Sequence, residues 1–195
     1  RQGARKRWLK AHAAPFHPRQ ALLGLTDGHA GQNLIRLAFG HQHQLQLFIN
    51  DHWQLAIEYQ AFGVHLGQQD LASADLAAIA AAGLRLGIST HGYAELCQVL
   101  HLQPSYLALG HIFPTNTKQM PSKPQGVARL AKYVQLCDKT PTVAIGGINP
   151  QRLDAVLQCG VAGVAVVSAI TAQTEPEQAF LRLKHQVEQY YAHHA

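Results

Sequence analysis

Strand-length apolar runs with helical stretches between them predict an α/β fold of parallel βα units. Three observations carry that reading. Runs at residues 46–49, 63–66, 84–88, 106–109, 142–145 and 163–167 begin about 20 residues apart, with one longer interval that holds the loop 111–126. They are apolar without alternation, as strands buried on both faces require. A polar or glycine-rich tip follows each one. An open doubly wound sheet and a closed (β/α)8 TIM barrel both satisfy the pattern, and both put their chemistry at the C-terminal ends of the strands.

The elements justify themselves in order. The first clear run ends in Asn50-Asp51 and the second in Gly67-Gln68-Gln69-Asp70. Residues 71–82 are rich in Ala and Leu, with Ser73 as the expected N-cap and Gly83 just past the end. The third run closes on Ser89-Thr90-His91 and leads into a helix expected over 93–102. The fourth opens the loop 110–118, and the fifth ends in Gly146-Gly147. A helix over 150–158 follows, because Pro150 suits a first turn and Gly160 a stop. The sixth run ends at Ser168.

Composition narrows the function classes. The chain has 195 residues, 47% of them apolar, so it can bury a sizeable core. With 16 Gly and 9 Pro it is neither collagen-like nor low-complexity. Cys97, Cys137 and Cys159 are far apart and form no disulfide framework or metal pair, which points to a reducing, cytoplasmic setting. The net charge of +5 is unevenly placed. Arg1, Arg5, Lys6, Arg7, Lys10 and Arg19 precede any acid, whereas the other 10 basic and all 11 acidic side chains nearly cancel. Residues 1–30 are therefore read as an atypical basic segment, its basic end a solvated tail, and 31–195 as the barrel domain. A nucleic-acid partner would need basic residues across a folded face, with aromatics among them. No membrane partner is expected: the long uncharged stretch 155–174 is interrupted by Gln158, Gly160, Gly163, Ser168, Thr171 and Gln173. Residues 1–14 lack the apolar core of a secretory signal.

Each strand tip offers recognisable chemistry. Asp51 and Asp70, on neighbouring strand ends, can share a hard cation such as Mg²⁺, which keeps waters and takes substrate phosphate oxygens. Either one alone is as well explained as a helix N-cap. Lys118, on a loop with Thr115 and Thr117, suits phosphate oxygens, although a loop lysine is often merely solvated. Gly146-Gly147 permits close backbone approach, and the amides near Val167-Ser168 open a helix where an anion is favoured. Phosphate held by the loops after the last two strands is a habit of (β/α)8 barrels, and that favours the barrel over the open sheet. His65, His91 and His111 lie beside these motifs and are read as local hydrogen-bonding or packing residues.

The same residues carry a resemblance. Phe48-Ile49-Asn50-Asp51, Gly63-Val64-His65-Leu66-Gly67-Gln68-Gln69-Asp70, Gly87-Ile88-Ser89-Thr90-His91, Gly110 through Lys118, and Ala144-Ile145-Gly146-Gly147-Ile148 with Val166-Val167-Ser168 resemble the thiamine-phosphate synthase family, in order and over about four-fifths of the chain. The resemblance implies a (β/α)8 barrel that joins a pyrimidine diphosphate to a thiazole phosphate and releases pyrophosphate. It implies Mg²⁺ on Asp51 and Asp70. It also implies pyrimidine or diphosphate contacts from Asn50, Ser89 and Lys118, the last two being the catalytic candidates. Thr115, Asn116, Thr117, Gly147, Val167 and Ser168 are implied to cradle the thiazole phosphate.

One part of the family pattern is missing. A Gln-x-Arg-x-Lys strand end that grips the diphosphate is due near residues 18–22, because the helix that follows it in the family can be traced back here through Leu37 to Asn33 and the spacing then places the motif. The sequence there reads Pro18-Arg19-Gln20-Ala21-Leu22. Only a weak strand over 20–26 stands in for the first one or two βα units, which are read as missing or atypical. A truncated or replaced N-terminus, for instance through a shifted reading frame, is one explanation. A divergent segment that fills the barrel in its own way is the other. Unpaired edges would invite a second copy of the chain. Loss of the grip leaves two alternatives to the synthase: a thiazole tautomerase-like isomerase, and a phosphate-binding remnant impaired in catalysis.

Overall fold

The computed structural model describes residues 46–116 and 122–194, together with the backbone of 23–25. These fall into two compact units, one running to Thr90 and taking in Cys97–Leu107, the other comprising His91–Leu96 and everything from Ala108.

The first unit is a parallel βα array: β1 (Leu23–Leu25), β2 (Leu47–Asn50), α1 (Trp53–Glu58), β3 (Gly63–Leu66), α2 (Gln68–Ser73), α3 (Leu76–Ala81) and β4 (Arg85–Thr90). Each strand pairs in parallel with the next, Leu23 opposite Leu47, Phe48 opposite Gly63 and Gly63 opposite Arg85. The weak strand expected at 20–26 thus has its counterpart in β1. Phe48, Ile49, Val64, Leu66, Leu86 and Ile88 are each no more than 1% exposed. Both faces of these strands are buried, so neighbouring positions are apolar without alternation. Two glycines make the packing possible. A Cβ on Gly63 would sit 2.5 Å from the Phe48 ring, and one on Gly87 only 2.2 Å from the Tyr106 ring. Phe48 meets Tyr106 edge-on at 5.1 Å in the space so left.

The helix expected over 71–82 is two helices. Ser73 is the last residue of α2, where its hydroxyl donates to the Asp70 carbonyl, and it caps nothing. Asp75 is the N-cap of α3, accepting from the Ala78 amide at 3.0 Å. Ala74 between them is extended, at ψ 141°.

The second unit continues the alternation. Helix α4 (Tyr93–Leu100) and strand β5 (Tyr106–Leu109) straddle the unit boundary; α5 (Gly126–Cys137), β6 (Thr142–Ile145), α6 (Pro150–Leu157), β7 (Gly163–Ala165), α7 (Ser168–Thr171) and α8 (Pro176–His194) follow. Strand β6 pairs in parallel with β7, Val143 opposite Gly163. Asn149 caps α6 by accepting from the Arg152 amide, and Gly160 beyond it takes φ +80°. Helix α8 is tied down by the Tyr191 hydroxyl donating to the Val161 carbonyl at 2.8 Å and by Gln186 donating to Asp154 at 2.8 Å. Helix α6 ends one residue before its expected end, and two other elements stop two residues short. Helix α4 ends at Leu100 because the chain tightens into a turn that puts Gln103 at φ +50°. Strand β7 ends at Ala165 because Val167 has already turned to become the N-cap of α7. Among the described residues of the first unit the strands follow one another in chain order, β1 to β4, without the reversal that an open doubly wound sheet would need.

Candidate active site

In the first unit the strand ends are organised by side chains. Strand β2 runs out into Asp51, whose amide still donates to the His65 carbonyl at 2.8 Å, so the ladder continues one residue past the strand. Asp51 then turns at φ +64°, a left-handed conformation that Asp tolerates better than most residues. The Asn50 amide donates to Asp51 Oδ2 at 2.6 Å and fixes the carboxylate. Asp51 does not cap the next helix, for which His52 is the N-cap residue. Nor does Asp70, which lies inside the first turn of α2, behind Gly67. Gly67 leaves room there: a Cβ on it would come within 3.3 Å of Asp70 Oδ2. Both carboxylates therefore lose their bland explanation as caps. They follow adjacent parallel strands whose register sets Asn50 opposite His65.

Ser89, near the end of β4, is held at both its ends. His65 Nε2 lies 2.8 Å from Ser89 Oγ, and the Gln68 amide donates to the Ser89 carbonyl at 2.6 Å. The other His65 nitrogen, Nδ1, lies 2.8 Å from the Tyr106 hydroxyl. Burial brings the His65 pKa down to about 4, so its ring is neutral. Burial also raises the Tyr106 phenol well above its ordinary value, so it keeps its proton.

In the second unit backbone does most of the work. After β5, the amides of Ile112 and Phe113 donate to the carbonyls of Ile145 and Gly146, each at 3.0 Å. Gly147 takes φ +64°, and a Cβ there would lie 2.4 Å from the Pro114 carbonyl oxygen, so the glycine turn after β6 lies flush against the loop that carries Thr115 and Asn116. Arg152 braces this arrangement, donating to the Gly147 carbonyl at 2.6 Å while its guanidinium covers the Phe113 ring at 4.7 Å. Val167 and Ser168 open α7, where the first amides have no acceptor within the helix. His91 is occupied by Glu95, whose carboxylate accepts from its backbone amide at 2.8 Å and lies 3.0 Å from its Nδ1. His111 is packed at 6% exposure, and burial, with His91 nearby, lowers its pKa.

Thr117 and Lys118 lie outside the described residues, as does the segment 18–22. Among the described residues no group of three or more His, Cys, Asp or Glu is gathered for a metal, and no helix is long and apolar enough to cross a membrane. Sequence reasoning did not single out Tyr106, Gln68 or Arg152. The one available signal was a glycine, Gly87, inside an otherwise bulky strand, which marks a place where a large neighbour passes close.

Comparison with known proteins decides the family. Residues 31–170 match the family described as Thiamine monophosphate synthase. The chain belongs to the thiamine monophosphate synthase family. Relatives within this synthase family include the thiamine-phosphate synthase of Yersinia pestis (strain Pestoides F), 55% identical over 163 residues that cover 83% of this chain and 76% of that protein. The thiamine-phosphate synthase of Pectobacterium atrosepticum is 54% identical over 165 residues, covering 84% and 78%. Among solved structures, thiamine phosphate pyrophosphorylase from Pyrococcus furiosus superposes with a TM-score of 0.75 at 26% identity, covering 94% of this chain and 89% of that one. The 3-hexulose-6-phosphate synthase of Salmonella typhimurium is similar in fold, with a TM-score of 0.69 at 17% identity and 88% of each chain covered. The fold class is that of the (β/α)8 barrels, as expected of the synthase family.

Proposed function

We propose that the chain joins 4-amino-2-methyl-5-(diphosphooxymethyl)pyrimidine to 4-methyl-5-(2-phosphoethyl)thiazole, giving thiamine phosphate and pyrophosphate. Family membership supports the reaction. The observation that carries the site assignment is the pair Asp51 and Asp70, at the ends of adjacent parallel strands and neither used as a helix cap.

In this reaction the C–O bond between the pyrimidine methylene and the diphosphate breaks, and its electron pair leaves with the diphosphate. The methylene becomes cation-like, and the thiazole nitrogen lone pair closes the new C–N bond. No side-chain nucleophile is required. Asn50 and Ser89 orient the pyrimidine substrate, and Lys118 holds the diphosphate as its charge develops. Thr115, Asn116, Thr117 and the backbone at Gly147, Val167 and Ser168 hold the thiazole phosphate.

The residues at the carboxylate pair fit Mg²⁺. They are hard oxygen donors, Asp51 is steadied by the Asn50 amide at 2.6 Å, and Asp70 has room beside Gly67. When bound there, Mg²⁺ neutralises diphosphate charge and so favours its departure. The free thiols of Cys97, Cys137 and Cys159 suit the reducing cytoplasm proposed for the enzyme.

The experiment is direct: incubate the protein with both substrates, with and without Mg²⁺, and follow thiamine phosphate. Mg²⁺-dependent product is expected, whereas folded protein that makes none sinks the reading. The sequence at 18–22 favours a second one, a thiazole tautomerase-like isomerase, because it lacks the diphosphate-gripping Gln-x-Arg-x-Lys. Metal-independent isomerisation of a thiazole phosphate would favour that alternative, and calorimetric phosphate-ligand binding without turnover a non-catalytic remnant.

A further inference from the structure

Arg152, in the first turn of α6, is a half-buried cation that meets no carboxylate among the described residues. The ion pairs there join His91 to Glu95 and Lys184 to Glu188, and the first turn of α6 holds no acid. The N-terminal end of the helix adds positive charge of its own. A guanidinium stays charged and carries five N–H donors. Among the described residues its side chain makes one hydrogen bond, from Nη1 to the Gly147 carbonyl at 2.6 Å. A charge drawn partly out of water is costly until an opposite charge answers it.

The attachments of this side chain point to the anion that would answer it. While Nη1 holds the Gly147 carbonyl, the guanidinium covers the Phe113 ring at 4.7 Å. Gly147 follows β6 and Phe113 follows β5, and the two press together: a Cβ on Gly147 would lie 3.0 Å from the Phe113 Cβ. One side chain therefore fastens two strand ends to each other. Its grip on the carbonyl also sets the plane of the Gly147–Ile148 peptide, whose N–H points the opposite way. Thr115 and Asn116, two and three residues beyond Phe113, belong with Gly147 to the cradle proposed for the thiazole phosphate. A phosphate monoester brings about −1.5 to −2 charges at pH 7, and the alcohol it derives from brings none.

We infer that Arg152 is a positioning residue for the thiazole phosphate: it clamps the glycine turn to the Phe113 loop and supplies positive charge behind the cradle, so that the site prefers the phosphate ester to the free alcohol of the same thiazole. The inference rests on the phosphate cradle proposed above. It also distinguishes Arg from Lys, since an ammonium keeps the charge but has no planar face to lay on Phe113 while it donates to Gly147.

Calorimetry on the full chain tests this with two ligands, the thiazole phosphate and 4-methyl-5-(2-hydroxyethyl)thiazole. Arg152→Met keeps an apolar stem over Phe113 and removes the charge and its donors. It is expected to weaken thiazole phosphate binding by about 10-fold, the effect of losing a charged hydrogen-bonding group. Binding of the alcohol, measured by competition, should change less than 2-fold. Arg152→Lys should fall between wild type and Met for the ester and match wild type for the alcohol; if the Met variant does not fold, the Lys variant makes the same comparison. In turnover, the KM for the thiazole phosphate should rise with kcat held, and the KM for the pyrimidine diphosphate should not move. Equal weakening of both ligands would mean a merely structural role and overturn the inference, as would an unchanged affinity for the ester. Wild-type chain that binds the ester no better than the alcohol overturns it too. A chain that binds the ester but makes no thiamine phosphate overturns the proposed reaction instead and leaves the binding series to decide the role of Arg152.

Discussion

The strand ends of the first unit are held by side chains, and those of the second by backbone. Asn50 steadies Asp51, His65 and Gln68 grip Ser89, and Tyr106 backs His65. Around Gly146 and Gly147 the contacts are amides, carbonyls and positive-φ glycines, with Arg152 bracing from outside. The contrast follows the chemistry proposed for each. A departing diphosphate needs charges and donors placed at particular points, which individual side chains provide. A phosphate that only needs to be held can be held by main-chain donors, provided no Cβ intrudes.

Substitutions should then act differently in the two units. The largest effect is expected from Asp51→Ala or Asp70→Ala, each lowering Mg²⁺-dependent turnover by about 10²- to 10³-fold, as loss of a transition-state electrostatic contact does. Steady-state assays across Mg²⁺ concentrations would check this, and unchanged rates would show the metal assignment wrong. Next is Gly147→Ala, which combines a left-handed backbone with a Cβ 2.4 Å from the Pro114 carbonyl. It should cost about 2–4 kcal/mol of stability in urea unfolding. Gly83→Ala is its control: φ is +73° but nothing lies within 4 Å, so the loss should be only about 1 kcal/mol. Equal losses at the two glycines would remove the claim that the second unit's turn is sterically committed.

A third effect concerns acid. The unfolded chain protonates His65 near pH 6.5, while the folded chain resists until about pH 4. Between these values the unfolded state binds more protons, so stability falls with pH, by on the order of 3 kcal/mol across the window. Unfolding curves at pH 7 and pH 4 should show this loss, and His65→Gln should lack its share of it. The smallest effect is chemical rather than energetic. Exposed Cys97 should react with a maleimide in the native state, whereas buried Cys137, its thiol pushed up to about 11, should react only on unfolding. Mass spectrometry of the labelled peptides would check it.

How much of this was legible in the sequence varied with the signal. Strands β3, β5 and β6 matched their expected bounds, because each is an uninterrupted apolar run enclosed by Gly, Pro, Ser or loop residues. The stretch 71–82 was misread as one helix because Ser73 and Asp75 are both good caps and the alanines around them favour helix on either side. Only the Asp75 carboxylate accepting from Ala78 distinguishes the two. Asp51 and Asp70 were visible as a pair but not as non-caps, since capping depends on where the helix starts. Tyr106 was hidden because an aromatic residue opening a buried strand reads as core, and its hydroxyl partner is 41 residues away.

Asp51 turns at φ +64°, where glycine or asparagine would sit with less strain. A laboratory evolution run that rewards heat resistance alone should therefore drift toward Gly or Asn at this codon, while one that also demands catalysis should keep the acid. Sequencing the two populations would expose a local bargain between durability and activity written into a single backbone angle.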